Sequence, residues 1–126
     1  MSAESGPVEE PALRLVLCNA PPDRAEEIAR AVLERRLAAC VNIVPGVISL
    51  YWWDGSIHRD LESTLLIKTT ADLVPALTVA ILAAHPYAVP EVIALPLAPD
   101  EGNAAYRAWL RAETAPAGDL ARGSIP

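Results

Sequence analysis

With 126 residues the chain is long enough to bury one core but short for two domains. Its 16 Asp and Glu against 10 Lys and Arg give a net charge of -6 and a pI near 4.8. That balance excludes the basic surface needed to bind a phosphate backbone or an anionic bilayer, so neither nucleic acid nor membrane is expected as a partner. No apolar run reaches the roughly 18 residues of a membrane span, and the first residues lack a basic stretch followed by an apolar one, so no signal peptide is expected. Residues 1–11 and 115–126, rich in Ser, Gly, Pro and Ala, read as flexible tails around a single domain over residues 12–114. Cytoplasmic residence is the expectation, with Cys18 and Cys40 as thiols.

Leu13 to Asn19 is a short apolar run closed by Ala-Pro-Pro, the pattern of a buried strand. Asp23 and Glu26 form a capping-box pair, and Ala25, Ile28, Ala29, Val32, Leu33 and Leu37 recur at helical spacing, which predicts a helix over residues 24–38. Cys40 to Trp53 is rich in β-branched and aromatic residues, and Ser56 to Thr69 alternates apolar with polar. Between them Asp54-Gly55 signals a two-residue type I′ turn, whose central positions both need positive φ.

That turn fixes the pairing: Trp53 with Ser56, Trp52 with Ile57, Leu50 with Arg59 and Ile48 with Leu61. Continued unchanged, the register would set Ile43 against Leu66 and spoil the apolar match. A bulge at Pro45-Gly46 restores it, placing Ile43 against Leu65 and Val41 against Ile67, because Pro cannot donate to a ladder and Gly suits a bulge.

Asp72 to Ala84 reads as a second helix with Pro75 in its first turn, ended by His85-Pro86. Glu91 to Leu97 reads as a fourth strand and Asn103 to Glu113 as a short helix carrying Tyr106, Trp109 and Leu110. The order β-α-β-β-α-β predicts an α+β, ferredoxin-like sandwich with strand order 4-1-3-2, a long second hairpin and an extra C-terminal helix. Cys18 and Cys40 then fall on non-adjacent strands, roughly 20 Å apart and too far to bridge.

Each hairpin arm has twice the residues of the first strand, so the tip overhangs. It carries Leu50, Tyr51, Trp52, Trp53 and Ile57, and either folds back on its own helices or is covered by a neighbouring copy; the length of the overhang favours the neighbour. Topology gathers Cys18, His85, Tyr87 and Glu91 near one sheet edge. A thiolate with an imidazole suits copper or another divalent transition metal, although a lone strand cysteine is also an ordinary core residue. Lys68 with Thr69-Thr70 lies at the other end, where an anion site competes with a simple cap and ion pair. His58 reads as a polar interface contact, and Asp60 with Glu62 as a solvated strand face. With no Gly-rich phosphate loop, nucleophile elbow or catalytic constellation, no enzyme activity and no organic cofactor are expected.

The stretches Cys40-Val-Asn-Ile-Val-Pro45, Ser49-Leu-Tyr51-Trp-Trp53-Asp-Gly55 and His85-Pro-Tyr87-Ala-Val-Pro90-Glu91 closely resemble the CutA divalent-cation tolerance family. Ile57, Glu62, Lys68-Thr69, Leu17-Cys18-Asn-Ala-Pro21 and Tyr106-Arg-Ala-Trp109-Leu110 fit it as well, so the resemblance spans residues 13–113. It implies a cytoplasmic, non-catalytic homotrimer whose hairpins pair between neighbours, linked to tolerance of copper and other divalent metals. By position it implies Cys18 and His85 as weak ligands for Cu2+ or another divalent cation; a second histidine of the family pattern is replaced here by Ala84. The family's likeness to the trimeric PII regulators implies an alternative, a signalling protein binding a metabolite or protein between subunits through Tyr51, Trp53, Lys68, Tyr87 and Glu91.

Overall fold

A computed structural model of the protein describes residues 10–115. The tails expected over 1–11 and 115–126 lie almost wholly outside that range. At its inner limit Ala115 is buried, and its N–H donates to Arg36 O at 2.9 Å.

Four strands, β1 (Leu13–Ala20), β2 (Cys40–Trp53), β3 (Ser56–Thr70) and β4 (Ile93–Pro96), form one antiparallel sheet in the order β2-β3-β1-β4. Three helices, α1 (Ala25–Glu34), α2 (Val74–Ala84) and α3 (Ala104–Ala112), complete the expected ferredoxin-like α+β architecture. The core lies between one sheet face and the two crossover helices. Val16 and Cys18 of β1 and Leu65 and Ile67 of β3 meet Ile28 and Val32 of α1 and Leu77 and Ile81 of α2, all without solvent exposure. Each such side chain contributes about 1.5–3 kcal/mol relative to an exposed one.

The hairpin follows the register expected from its turn. Asp54 and Gly55 take φ of 51° and 81°, the left-handed pair a type I′ turn needs. Trp52 pairs with Ile57, Leu50 with Arg59 and Ile48 with Leu61. The register shifts between Val44 and Val47, where Gly46 adopts φ 72°, and beyond it Ile43 meets Leu65 and Val41 meets Ile67. The bulge changes the parity of β2. Before it the core-facing residues are Val41 and Ile43; after it Ile48, Leu50 and Trp52 share that face with Leu61 and Ile57.

α1 is shorter than its apolar spacing predicts, and Asp23 does not cap it. The N-cap is Arg24, without a side-chain cap bond, because Arg24 N–H closes a turn onto Pro21 O at 3.0 Å with Asp23 inside that turn. At the other end Arg36 adopts φ 59°, Arg36 N–H donates to Leu33 O and Leu37 N–H to Val32 O, both at 3.0 Å. This is a Schellman stop, and its hydrophobic contact is Leu37 against Val32, both fully buried. Leu37 therefore keeps the helical phase while lying outside the helix.

A 3-10 turn at Ala71–Leu73 precedes α2, with Pro75 in the first turn as expected. β4 begins at Ile93 rather than Glu91, which leaves Glu91 in the connecting loop just after Pro90, which has no N–H to give a ladder. Asn103 caps α3 by accepting from Ala105 N–H at 2.9 Å. Cys18 stands level with Leu65 and Cys40 with Lys68 on either side of β3, so the thiols are roughly 14 Å apart, closer than expected but still unbridgeable. Both are free.

Candidate functional site

Asn19, the penultimate residue of β1, organises the end of the sheet. Thr64 Oγ1 donates to Asn19 Oδ1 at 2.7 Å, and Asn19 Nδ2 donates to Glu91 Oε1 at 3.0 Å. The Asn19 carbonyl lies 2.7 Å from His85 Nε2 and 3.7 Å from Cys18 Sγ. Cys18, His85 and Glu91 are thus drawn together around one residue.

Their protonation follows from their partners. Tyr87 N–H donates to His85 Nδ1 at 3.2 Å, so Nδ1 is an acceptor and Nε2 carries the hydrogen that reaches Asn19 O. Both ring nitrogens are thus engaged, and the ring sits 4.6 Å from that of Tyr87. Burial first, then the Glu91 and Glu62 carboxylates, push the Cys18 thiol from 9.0 up to about 12. Cys18 is a neutral thiol at physiological pH.

As folded, this pair would have to give up a proton and a hydrogen bond to take a metal. A thiol with so high a pKa is not the thiolate a soft cation needs, and His85 has no free lone pair unless it gives up Tyr87 N–H. Among the described residues no group of three or more His, Cys, Asp or Glu comes together in a way that could hold a metal ion.

The same loop walls a cleft of about 700 Å³ between the segment after His85 and the outer half of the hairpin. Tyr51, Trp53, Tyr87, Asp60, Glu62 and Glu91 line it. The structure therefore brings together four of the five residues expected at an inter-subunit cleft. Lys68 is not among them: its Nζ lies 3.3 Å from Tyr106 Oη and 5.3 Å from the centre of that ring, against α3. Thr69 and Thr70 turn inward, to Leu37 O at 2.7 Å and Asp72 Oδ1 at 2.5 Å, so that end of the sheet presents no open anion site. His58 stacks on Tyr51, ring centres 5.8 Å apart.

Of the expected solvated face, Asp60 is exposed, but Glu62 is not, and for it the expectation is corrected. Glu62 is only 6% exposed, because Tyr87 folds over it and donates its hydroxyl to Glu62 Oε2 at 2.8 Å. Tyr51 donates to Asp60 in the same way. Burial, then the bond to Glu62, raises the Tyr87 phenol; for Tyr51 the bond to Asp60 is the main cause of its rise. The sequence signal that could have shown this is the parity of β3, which puts Asp60 and Glu62 on the face shared with Tyr51.

Beyond the cleft the hairpin tip is bare. Trp52 is 72% and Leu50 67% exposed, and Ile48, Ile57 and Leu61 are more than half exposed beside them. Their common face continues the core face of the sheet past the ends of α1 and α2.

This ferredoxin-like fold places the chain in a class of small α+β proteins that includes a structure described as a PII-like protein CutA, from Nostoc sp. PCC 7120. That structure superposes with a TM-score of 0.77 at 32% identity, covering 81% of this chain and 97% of its own. Residues 14–113 match the CutA1 divalent ion tolerance protein family, and the chain belongs to that family. It is 50% identical over 101 residues to the divalent-cation tolerance protein CutA of Thermus thermophilus, across 79% of this chain and 96% of the relative. The Thermus thermophilus structure superposes with a TM-score of 0.77, covering 82% of this chain and 99% of that one. Human protein CutA is 53% identical over 90 residues, which are 71% of this chain and 49% of the human protein. The chain thus spans about half the length of the human relative and nearly all of the bacterial one.

Proposed function

We propose that the protein is a non-catalytic homotrimer acting in divalent-metal tolerance as a PII-like regulator, with a small metabolite or partner held in the cleft beside Tyr51, Trp53, Tyr87 and Glu91. One observation carries the reading: the apolar stripe Ile48, Leu50, Trp52, Ile57 and Leu61 extends the core face with no described residue over it and adjoins the cleft. A contiguous patch of that kind marks an interface, and a neighbouring copy of the same domain supplies a matching surface. The count of three comes from the family resemblance. Two unbridged thiols support a reducing, cytoplasmic setting. Sedimentation velocity tests the assembly: the wild type sediments as a trimer and Trp52→Asp shifts it toward smaller species. A monomeric wild type removes the proposal.

A second reading, weak binding of Cu2+ or another divalent cation by Cys18 and His85, is favoured by their convergence on Asn19 O. It requires His85 to surrender one of its two hydrogen bonds and Cys18 its proton. Calorimetric titration with Cu(II) and Cu(I) decides it, since binding that is absent or unchanged in Cys18→Ala and His85→Ala eliminates this site.

A further inference from the structure

The cleft is acidic in an unusual way. Asp60, Glu62 and Glu91 each have one carboxylate oxygen held by a neutral donor, from Tyr51, Tyr87 and Asn19 respectively. The other oxygen of each has no hydrogen-bond partner among the described residues, and none of the three is in an ion pair there with Lys or Arg. Among the described residues, no Lys, Arg or His lines the cleft. Glu62 is the decisive member. A carboxylate with 6% exposure is a rarity without a cationic partner; no buried side-chain oxygen among the described residues is left unsatisfied, so its free oxygen reaches solvent, and Glu62 lines the cleft.

We infer that the cleft binds an organic cation, a primary amine or guanidinium on a short apolar stem. The inference rests on the proposed inter-subunit cleft and names its ligand class. Charge sets the sign on this subunit's wall: three carboxylates without a counter-cation among its described residues repel an anionic metabolite and attract a cation. The walls decide between kinds of cation. Tyr51, Trp53 and Tyr87 offer ring faces of the sort that hold ammonium and guanidinium groups, and more of the surface is apolar than polar. A bare metal ion instead needs its ligands gathered into one coordination set, which the described residues do not provide.

The probes are cadaverine and agmatine, with 1,5-pentanediol as the neutral analogue and glutarate as the anionic one, titrated calorimetrically into the wild-type protein and into Glu91→Gln, Glu62→Gln and Trp53→Ala. Glu91→Gln keeps the acceptor for Asn19 and guards against a Glu62 variant that fails to fold. The expected result is binding of one or both amines, weakened at least about tenfold by Glu91→Gln and by Trp53→Ala, weakened by added salt, and undetectable for the diol and the diacid. Amine binding unaffected by Glu91→Gln and Trp53→Ala overturns the inference, as does binding by neither amine. Binding of glutarate, or of Cu(II) alone in a Glu91-dependent way, also overturns it while leaving the cleft reading in place. That reading fails separately, by a monomeric wild type in sedimentation.

Discussion

Tyr87→Phe is the most direct probe of how the cleft is held together. The substitution removes one oxygen and leaves the ring where it packs on His85. What disappears is the 2.8 Å bond from the hydroxyl to Glu62 Oε2. Hydrogen bonds to charged groups contribute about 1.5–3 kcal/mol, and because Tyr87 is itself 39% exposed while Glu62 is buried, the lower end, about 1.5 kcal/mol, is the expected loss. At a urea slope of about 1.5 kcal/mol/M, the midpoint falls by about 1 M at fixed protein concentration. Tyr51→Phe is the matched control. It removes the equivalent bond to Asp60 on the exposed hairpin, where solvent replaces the partner, so no measurable loss is expected. Equal losses in the two variants, or none in Tyr87→Phe, refute the view that Glu62 is a buried carboxylate held by Tyr87.

Gly46→Ala should cost about 1 kcal/mol by urea titration: a Cβ there meets nothing within 4 Å, so the penalty is purely that of φ 72° for an L residue, and Gly46→Asn should cost visibly less. Leu37→Ala, which empties a fully buried site and breaks the Schellman contact, should cost about 2–5 kcal/mol in the same assay. Cys18 predicts an alkaline limit. Its folded pKa is raised above the unfolded value of 9.0, so its contribution is complete below about pH 9 and drains away as pH rises toward about 12. Stability measured from pH 8 to 11 should fall less steeply in Cys18→Ala than in the wild type; identical slopes would count against a buried, protonated thiol.

The hairpin was readable from sequence because its determinants are local. Asp54-Gly55 sets the turn, the turn sets the pairing, and the mismatch of Ile43 with Leu66 forces the bulge onto Pro45-Gly46. The end of α1 was not, since periodicity cannot distinguish a last helical turn from a Schellman stop when the left-handed position is Arg36 instead of glycine. The cleft was legible in its members and opaque in its electrostatics. Topology brings Tyr87 and Glu91 to one sheet edge, whereas Tyr51 and Trp53 were joined to them only through the family resemblance. The burial of Glu62 depends on Tyr87 reaching back 25 residues, and the removal of Lys68 depends on Tyr106, 38 residues away. Neither contact leaves a periodic trace.

The parity change at the bulge also limits how such a hairpin can vary in length. An insertion between Val47 and the aromatic tip that adds one residue to each arm turns Leu50 and Trp52 toward the cleft and Tyr51 and Trp53 toward the opposite face. Only insertions of two residues per arm keep both faces, so the reach of the arm is quantised in steps of roughly 7 Å. Relatives that vary the reach of this hairpin should do so in those steps, or relocate the bulge.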